Sequence, residues 1–122
     1  MLYFVATNSF KNDVNTAIAF IRASAGSYFK HPDVAEEEFL NELEDVITAL
    51  QHNPFRKQGL NSSPVLRRAI FFNDLYAVEY AIRPTTATTV QYARDFVLLS
   101  LIPILSGRSQ QVSAPDIVFD FD

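Results

Sequence analysis

Four arginines are the side chains whose type and placement could do chemistry: Arg67 and Arg68, adjacent in one apolar segment, Arg83 at the end of the next, and Arg108 after a third. They form the candidate functional constellation. The plainer alternative is that Arg68 pairs with Glu79 and the others are solvated strand-edge residues, because exposed ion pairs are common and weakly stabilising. Other chemistries find less to draw on. His31 and His52 each stand beside a proline-containing turn, with no carboxylate or serine at a spacing that would make either a general base, so they read as surface or helix-end residues. The run Glu36, Glu37, Glu38 does not follow an oxygen-ligand loop and reads as a solvated helix face. Gly26, Gly59 and Gly107 are isolated, outside any phosphate-cradling pattern. The chain has no cysteine, which excludes thiol nucleophiles, thiolate metal sites and disulfides together. No cofactor and no metal is expected.

The elements that must position the arginines centre on residues 63–84. Two runs rich in β-branched and aromatic residues, Val65 to Phe72 and Leu75 to Arg83, flank Asn73-Asp74 and predict a β-hairpin. A two-residue loop, or any even-length loop centred there, sets Phe71 opposite Tyr76, Ala69 opposite Val78, Arg67 opposite Tyr80 and Val65 opposite Ile82 on the side that looks like core. The other side carries Leu66, Ile70, Phe72, Leu75 and Ala77, with Arg68 across from Glu79. Helices on the core side would leave this second face as a partly apolar, arginine-marked surface suited to a partner.

Before the hairpin, Leu2 to Ala6 is a short strand expected to join the sheet. Asn8 or Ser9 is the expected N-cap of a helix whose stripe is Phe10, Val14, Ala17, Ile18 and Ile21, ending near Ala25-Gly26. Asp33 and Glu36 form a D-x-x-E start to a second helix, with the stripe Phe39, Leu40, Leu43, Val46, Ile47 and Leu50. The two make an antiparallel helical hairpin able to cover one sheet face. His52 to Pro64 reads as a loop. After PTTATT at 84–89, Val90 to Arg94 is a turn of helix or the start of a strand. Phe96 to Leu105 is apolar on both parities and reads as a strand buried on both faces, with Pro103 requiring a bulge or a strand end. Val112 to Asp122 is a loose tail or, through Ile117, Val118, Phe119 and Phe121, a docked strand.

With 122 residues, 48% hydrophobic and 13% aromatic, the chain has the composition of a single globular domain, assigned to 1–110 with a tail at 111–122. No run is long and apolar enough to span a bilayer, and a cytoplasmic protein without membrane contact is expected. A net charge of −4 argues against nucleic-acid binding through bulk positive charge. The charge is unevenly placed: seven acids and no base over 33–45, six bases against Asp74 and Glu79 over 55–94, and three Asp over 116–122.

The order strand, helical hairpin, three strands resembles the ParE/RelE superfamily of type II toxin-antitoxin toxins. Phe10, Asp13, Val14, Ile18 and Ile21 are similar to the first-helix pattern, and Phe39, Leu43, Ile47, Leu50 and Asn53-Pro54 to the second helix and its terminating proline. Leu66-Arg67-Arg68 with Tyr76, Tyr80 and Ile82 resembles the family hairpin, and Ile104 to Arg108 its final motif. The helical half is more similar to ParE than to RelE. The resemblance implies an α+β fold, an N-terminal strand and an antiparallel helical hairpin on a small, twisted, largely antiparallel sheet. It implies a toxin-like protein that inhibits DNA gyrase by protein contact and is neutralised by a cognate antitoxin, without being an enzyme. The RelE branch implies instead a ribosome-dependent endoribonuclease cleaving messenger RNA, with Arg67, Arg68, Arg83 and Arg108 contacting phosphate and stabilising developing charge. A non-toxic interaction protein on the same scaffold is the third reading. Leu66, Ile70, Phe72, Leu75 and Arg108 are the expected partner-binding residues, and assembly into a homo-oligomer stays open.

Overall fold

In the computed structural model, which describes residues 1–57, 59–60 and 63–104, Thr7 begins the first helix in place of Asn8 or Ser9. Its backbone is extended and its hydroxyl accepts the Phe10 N–H at 3.0 Å. The reason lies in what precedes it. Strand β1 (Tyr3–Ala6) runs directly into helix α1 (Asn8–Ser24), so the residue at the junction is the one able to cap. Thr7 also ties the helix to the sheet, donating its N–H to the Leu98 carbonyl at 3.1 Å and its hydroxyl towards the Leu98 and Leu99 carbonyls.

Helix α1 continues as a 3-10 turn, Ala25–Tyr28, and helix α2 spans Pro32–His52. His31, not Asp33, caps α2: Pro32 occupies the first turn, where its missing N–H costs nothing, and the His31 ring accepts the Asp33 N–H at 3.1 Å. Asp33 faces α1 instead. There Arg22 donates to Asp33 at 2.7 Å and to Glu36 at 3.1 Å, closing the helical hairpin, and the guanidinium holds the Asp33 carboxyl below its usual range. At the far end Asn53 ends the helix, and its side chain accepts the Phe55 N–H within a second 3-10 turn, Pro54–Arg56.

The sheet has the order β1-β5-β4-β3-β2, with β2 at Gly59–Leu60, β3 at Ser63–Phe71, β4 at Tyr76–Arg83 and β5 at Asp95–Pro103. β1 pairs parallel to β5 and the remaining pairs are antiparallel. This is the expected α+β arrangement, with one further short strand inside the segment read as a loop. Pro103 ends β5, as its missing donor requires, and the register with β4 shifts between Glu79 and Tyr80. Val90–Tyr92 is a 3-10 turn.

Both helices pack on one sheet face. Phe10, Ala17 and Ile21 from α1 and Ala35, Phe39, Leu43 and Leu50 from α2 meet Ala69, Phe71, Tyr76, Val78, Tyr80, Ile82, Phe96, Leu98 and Leu101. Both apolar stripes are realised except at Leu40, which stays exposed at the stripe's edge. Phe39 is the hub, its ring 5.3–5.6 Å from those of Phe71, Phe72 and Tyr76, and truncating it to Ala would cost about 3–5 kcal/mol. β1 is fastened to α2 as well: Leu2 donates to the Gln51 carbonyl at 2.8 Å, and the Gln51 amide returns a bond to Leu2. Among the described residues no helix is long and apolar enough to cross a membrane. Arg108, Ser106-Gly107 and the expected strand within 112–122 lie outside the described residues.

Candidate interaction surface

The hairpin register agrees with expectation: Phe71 pairs with Tyr76, Ala69 with Val78, Arg67 with Tyr80 and Arg68 with Glu79. Alternation along β3 then sends neighbouring arginines to opposite faces. Arg67 lies on the helix side, its guanidinium over the Phe55 ring at 5.0 Å and donating to the Lys57 carbonyl. Arg68 lies on the opposite face, where it donates to Glu79 at 2.7 Å; Glu79 also accepts the Ser100 hydroxyl at 2.6 Å. The three residues form a polar row across β3, β4 and β5. Arg83 is on the same face as Arg68 but two rows of side chains further along, beyond the Ala81 row, and is bonded through two nitrogens to Asp95 at 2.6 and 2.7 Å. That carboxylate raises the Arg83 pKa above its ordinary value. The sheet therefore separates Arg67 from Arg68 and Arg83, and each of the three is bound into the scaffold.

The expected partner-binding residues also part company. Leu66 is buried and Ile70 is about half exposed, both on the face away from the helices. Phe72 and Leu75 do not share that face. The loop is a four-residue turn in which Phe72, Asn73 and Asp74 all have positive φ (57°, 55° and 62°). Three successive left-handed residues break strand alternation, so Phe72 turns onto Phe39 and Leu75 points beside it.

This turn meets the turn of the helical hairpin, and between them lies a hollow of about 210 Å³. Phe20, Ile21 and Tyr28 line it from the helical side and Phe72, Leu75 and Tyr76 from the strand side. Lys30 and Glu38, paired with each other, stand at its rim. Around it Phe20, Tyr28 and Leu75 are exposed, and Phe29, itself left-handed at φ 59°, is 99% exposed. The positive φ is that of a left-handed cap, its N–H bonded back to Gly26 as the 3-10 turn ends, so the feature that marks a surface for contact is the uncovered aromatic ring. The arrangement can receive an apolar side chain from another protein and flank it with aromatics.

This cluster is not among the residues the sequence patterns single out, although signals exist. Phe20 falls on the polar side of the α1 stripe, and Tyr28-Phe29 occupies a turn where polar residues are usual. No protein-family model and no curated protein matches the chain.

Proposed function

We propose that the protein works by protein contact, as the toxin-like component of a type II toxin-antitoxin module in the manner of ParE, inhibiting DNA gyrase and neutralised by a cognate antitoxin. The observation that carries contact over catalysis is the exposed aromatic cluster around the hollow between the two turns, with Phe29 at 99% exposure. The order of elements and the hairpin residues supply the ParE-like part of the reading. The scaffold roles of Arg67, Arg68 and Arg83 add support, because a guanidinium already bonded to a carboxylate or a backbone carbonyl is poorly placed to meet a phosphate.

A second reading, the ribosome-dependent endoribonuclease, is favoured by one feature. Arg67 reaches Lys57, and Arg56 with Lys57 lines a second hollow of about 220 Å³ beside Ala69 and Ile70, gathering three bases at the β3 edge. Induced expression in a bacterial host separates the readings. Loss of viability with chromosome breaks and intact messenger RNA supports gyrase inhibition, and Phe29→Asp should then restore growth without lowering the unfolding temperature. Cut messenger RNA would assign the RelE-type activity. Normal growth at verified protein levels would leave the third reading, a non-toxic interaction protein.

A further inference from the structure

Beside the hollow between the two turns stands an uncovered ring of the same chain. Phe29 lies between Tyr28 and Lys30, both of which line the hollow, and is itself 99% exposed. Its backbone is fixed as the cap of the 3-10 turn, the N–H bonded to the carbonyls of Ala25 and Gly26, so the ring stands on a held base. The hollow, about 210 Å³, is smaller than the roughly 300–1,000 Å³ of a small-molecule cleft. Lined by Phe20, Ile21, Tyr28, Leu75 and Tyr76, it suits one large apolar side chain.

We propose that a second copy of this chain covers this surface, in a two-fold dimer in which Phe29 of each copy enters the hollow of the other. Three observations favour a second copy over another occupant. The first is that ring and hollow lie side by side on one surface. A two-fold axis midway between them fills both hollows at once, leaves neither Phe29 in water and closes the assembly at two. The second is charge. The rim carries Lys30 and Glu38, one of each sign and paired with each other, in a chain of net charge −4. A second copy meets no excess of its own sign here, while a strongly acidic or basic partner finds no opposite charge to pair with. The third is area. At roughly 200 Å² for a whole aromatic residue, the exposed parts of Phe20, Tyr28 and Phe29 come to about 450 Å² in each copy, so a dimer removes about 900 Å² from these rings alone. Half-exposed Leu75 brings this to roughly the 1,000 Å² at which specific interfaces begin, and so small a contact suits an exchanging dimer with a dissociation constant on the order of 10 μM. The dimer needs no target. One consequence does rest on the contact reading: copy and target compete for the same rings, so the monomer is the form that engages the target.

Sedimentation of the purified full chain, with no other protein present, tests the dimer from about 1 to about 500 μM. The sedimentation coefficient should rise with concentration from that of a monomer to that of a dimer. Phe29→Asp should weaken self-association about a hundredfold or more, with the unfolding temperature unchanged, because the ring it removes is exposed and aspartate tolerates a left-handed backbone. Tyr92→Asp, which removes an exposed aromatic outside the lining of the hollow, should dimerise as the unaltered chain does. The absence of native cysteine adds a second measurement: Phe29→Cys mixed with Leu75→Cys under a mild oxidant should form the mixed disulfide in preference to either like pair. A monomer at every concentration would overturn the proposal, whether the surface stays open to another protein or the chain covers it itself. A dimer that survives Phe29→Asp, or a mixed disulfide no more abundant than the like pairs, would overturn it as well. Since no target enters these measurements, the dimer and the toxin reading stand or fail separately.

Discussion

Arg68 donates to Glu79 at 2.7 Å across the β3–β4 pair, in a row the Ser100 hydroxyl completes from β5. The pair is almost entirely shielded from water. Removing one partner strands the other's charge, so Glu79→Ala should destabilise by about 3–5 kcal/mol, whereas Ser100→Ala, which deletes one neutral donor to a carboxylate, should cost about 1.5–3 kcal/mol. The double change Arg68→Met with Glu79→Leu should lose less than Glu79→Ala alone. Urea unfolding midpoints of the three variants check the order.

Tyr80 supplies a pH dependence. Its ring is fully buried in the core, its hydroxyl donates to the Pro54 carbonyl at 2.6 Å, and burial pushes its pKa up to about 12, with Arg67 and Arg56 pulling weakly the other way. In the unfolded chain the phenol titrates near 10. Between these values the folded state holds a proton the unfolded state has lost, so stability is intact below about pH 10 and falls by about 3 kcal/mol as pH rises to about 12. Tyr76, also raised by burial, acts in the same direction. Tyr80→Phe should lose about 1–2 kcal/mol at neutral pH and show a flatter alkaline limb in thermal melts.

Asp13 closes a gap in the sheet. β1 stops opposite Leu98, and beyond it the Leu101 N–H donates to the Asp13 carboxylate at 3.0 Å, a bond between helix α1 and strand β5. Asp13→Ala should destabilise by about 1.5–3 kcal/mol, and Asp13→Asn by less because an acceptor oxygen remains. Amide hydrogen exchange at Leu101 should accelerate most in the alanine variant.

Asp74 holds φ at 62° at the end of three left-handed residues. Glycine takes this conformation without a Cβ clash, so Asp74→Gly should stabilise by about 0.5 kcal/mol, the relief outweighing the added chain entropy. Unfolding midpoints would reveal it, and a loss instead would mean that the Asp74 side chain contributes to the turn.

The architecture was legible where a period was strong. The stripes of α1 and α2, the centring of the hairpin on Asn73-Asp74 and the strand end at Pro103 all follow from spacing and from what proline cannot donate. The caps depart from expectation for a local reason: several capping residues stand within two positions of each start, and the choice of Thr7 and His31 depends on how β1 and Pro32 fix the entering chain. Phe72 and Leu75 leave the expected face because parity holds only while the backbone is extended, and φ at Phe72 is not written in its side chain. Arg67 and Arg68 were correctly sent to opposite faces by parity alone. Arg68 meets the Glu79 that parity sets opposite it, whereas Lys57, which accepts from Arg67, and Ser100, which donates to Glu79, come from segments that no local pattern links to β3.

The parallel pairing of β1 with β5 has a further consequence, for the order in which the chain becomes itself. Among the described residues β1 joins the sheet only through β5, and Thr7 meets the Leu98 carbonyl across 91 residues of sequence. Contacts so remote close late, after the local helical hairpin has formed. During synthesis the first strand and both helices emerge long before the strand that unites them, with their apolar faces still seeking cover. A nascent chain halted before residue 95 would lack the strand on which β1 and Thr7 close, although both turns that form the hollow would already have been made.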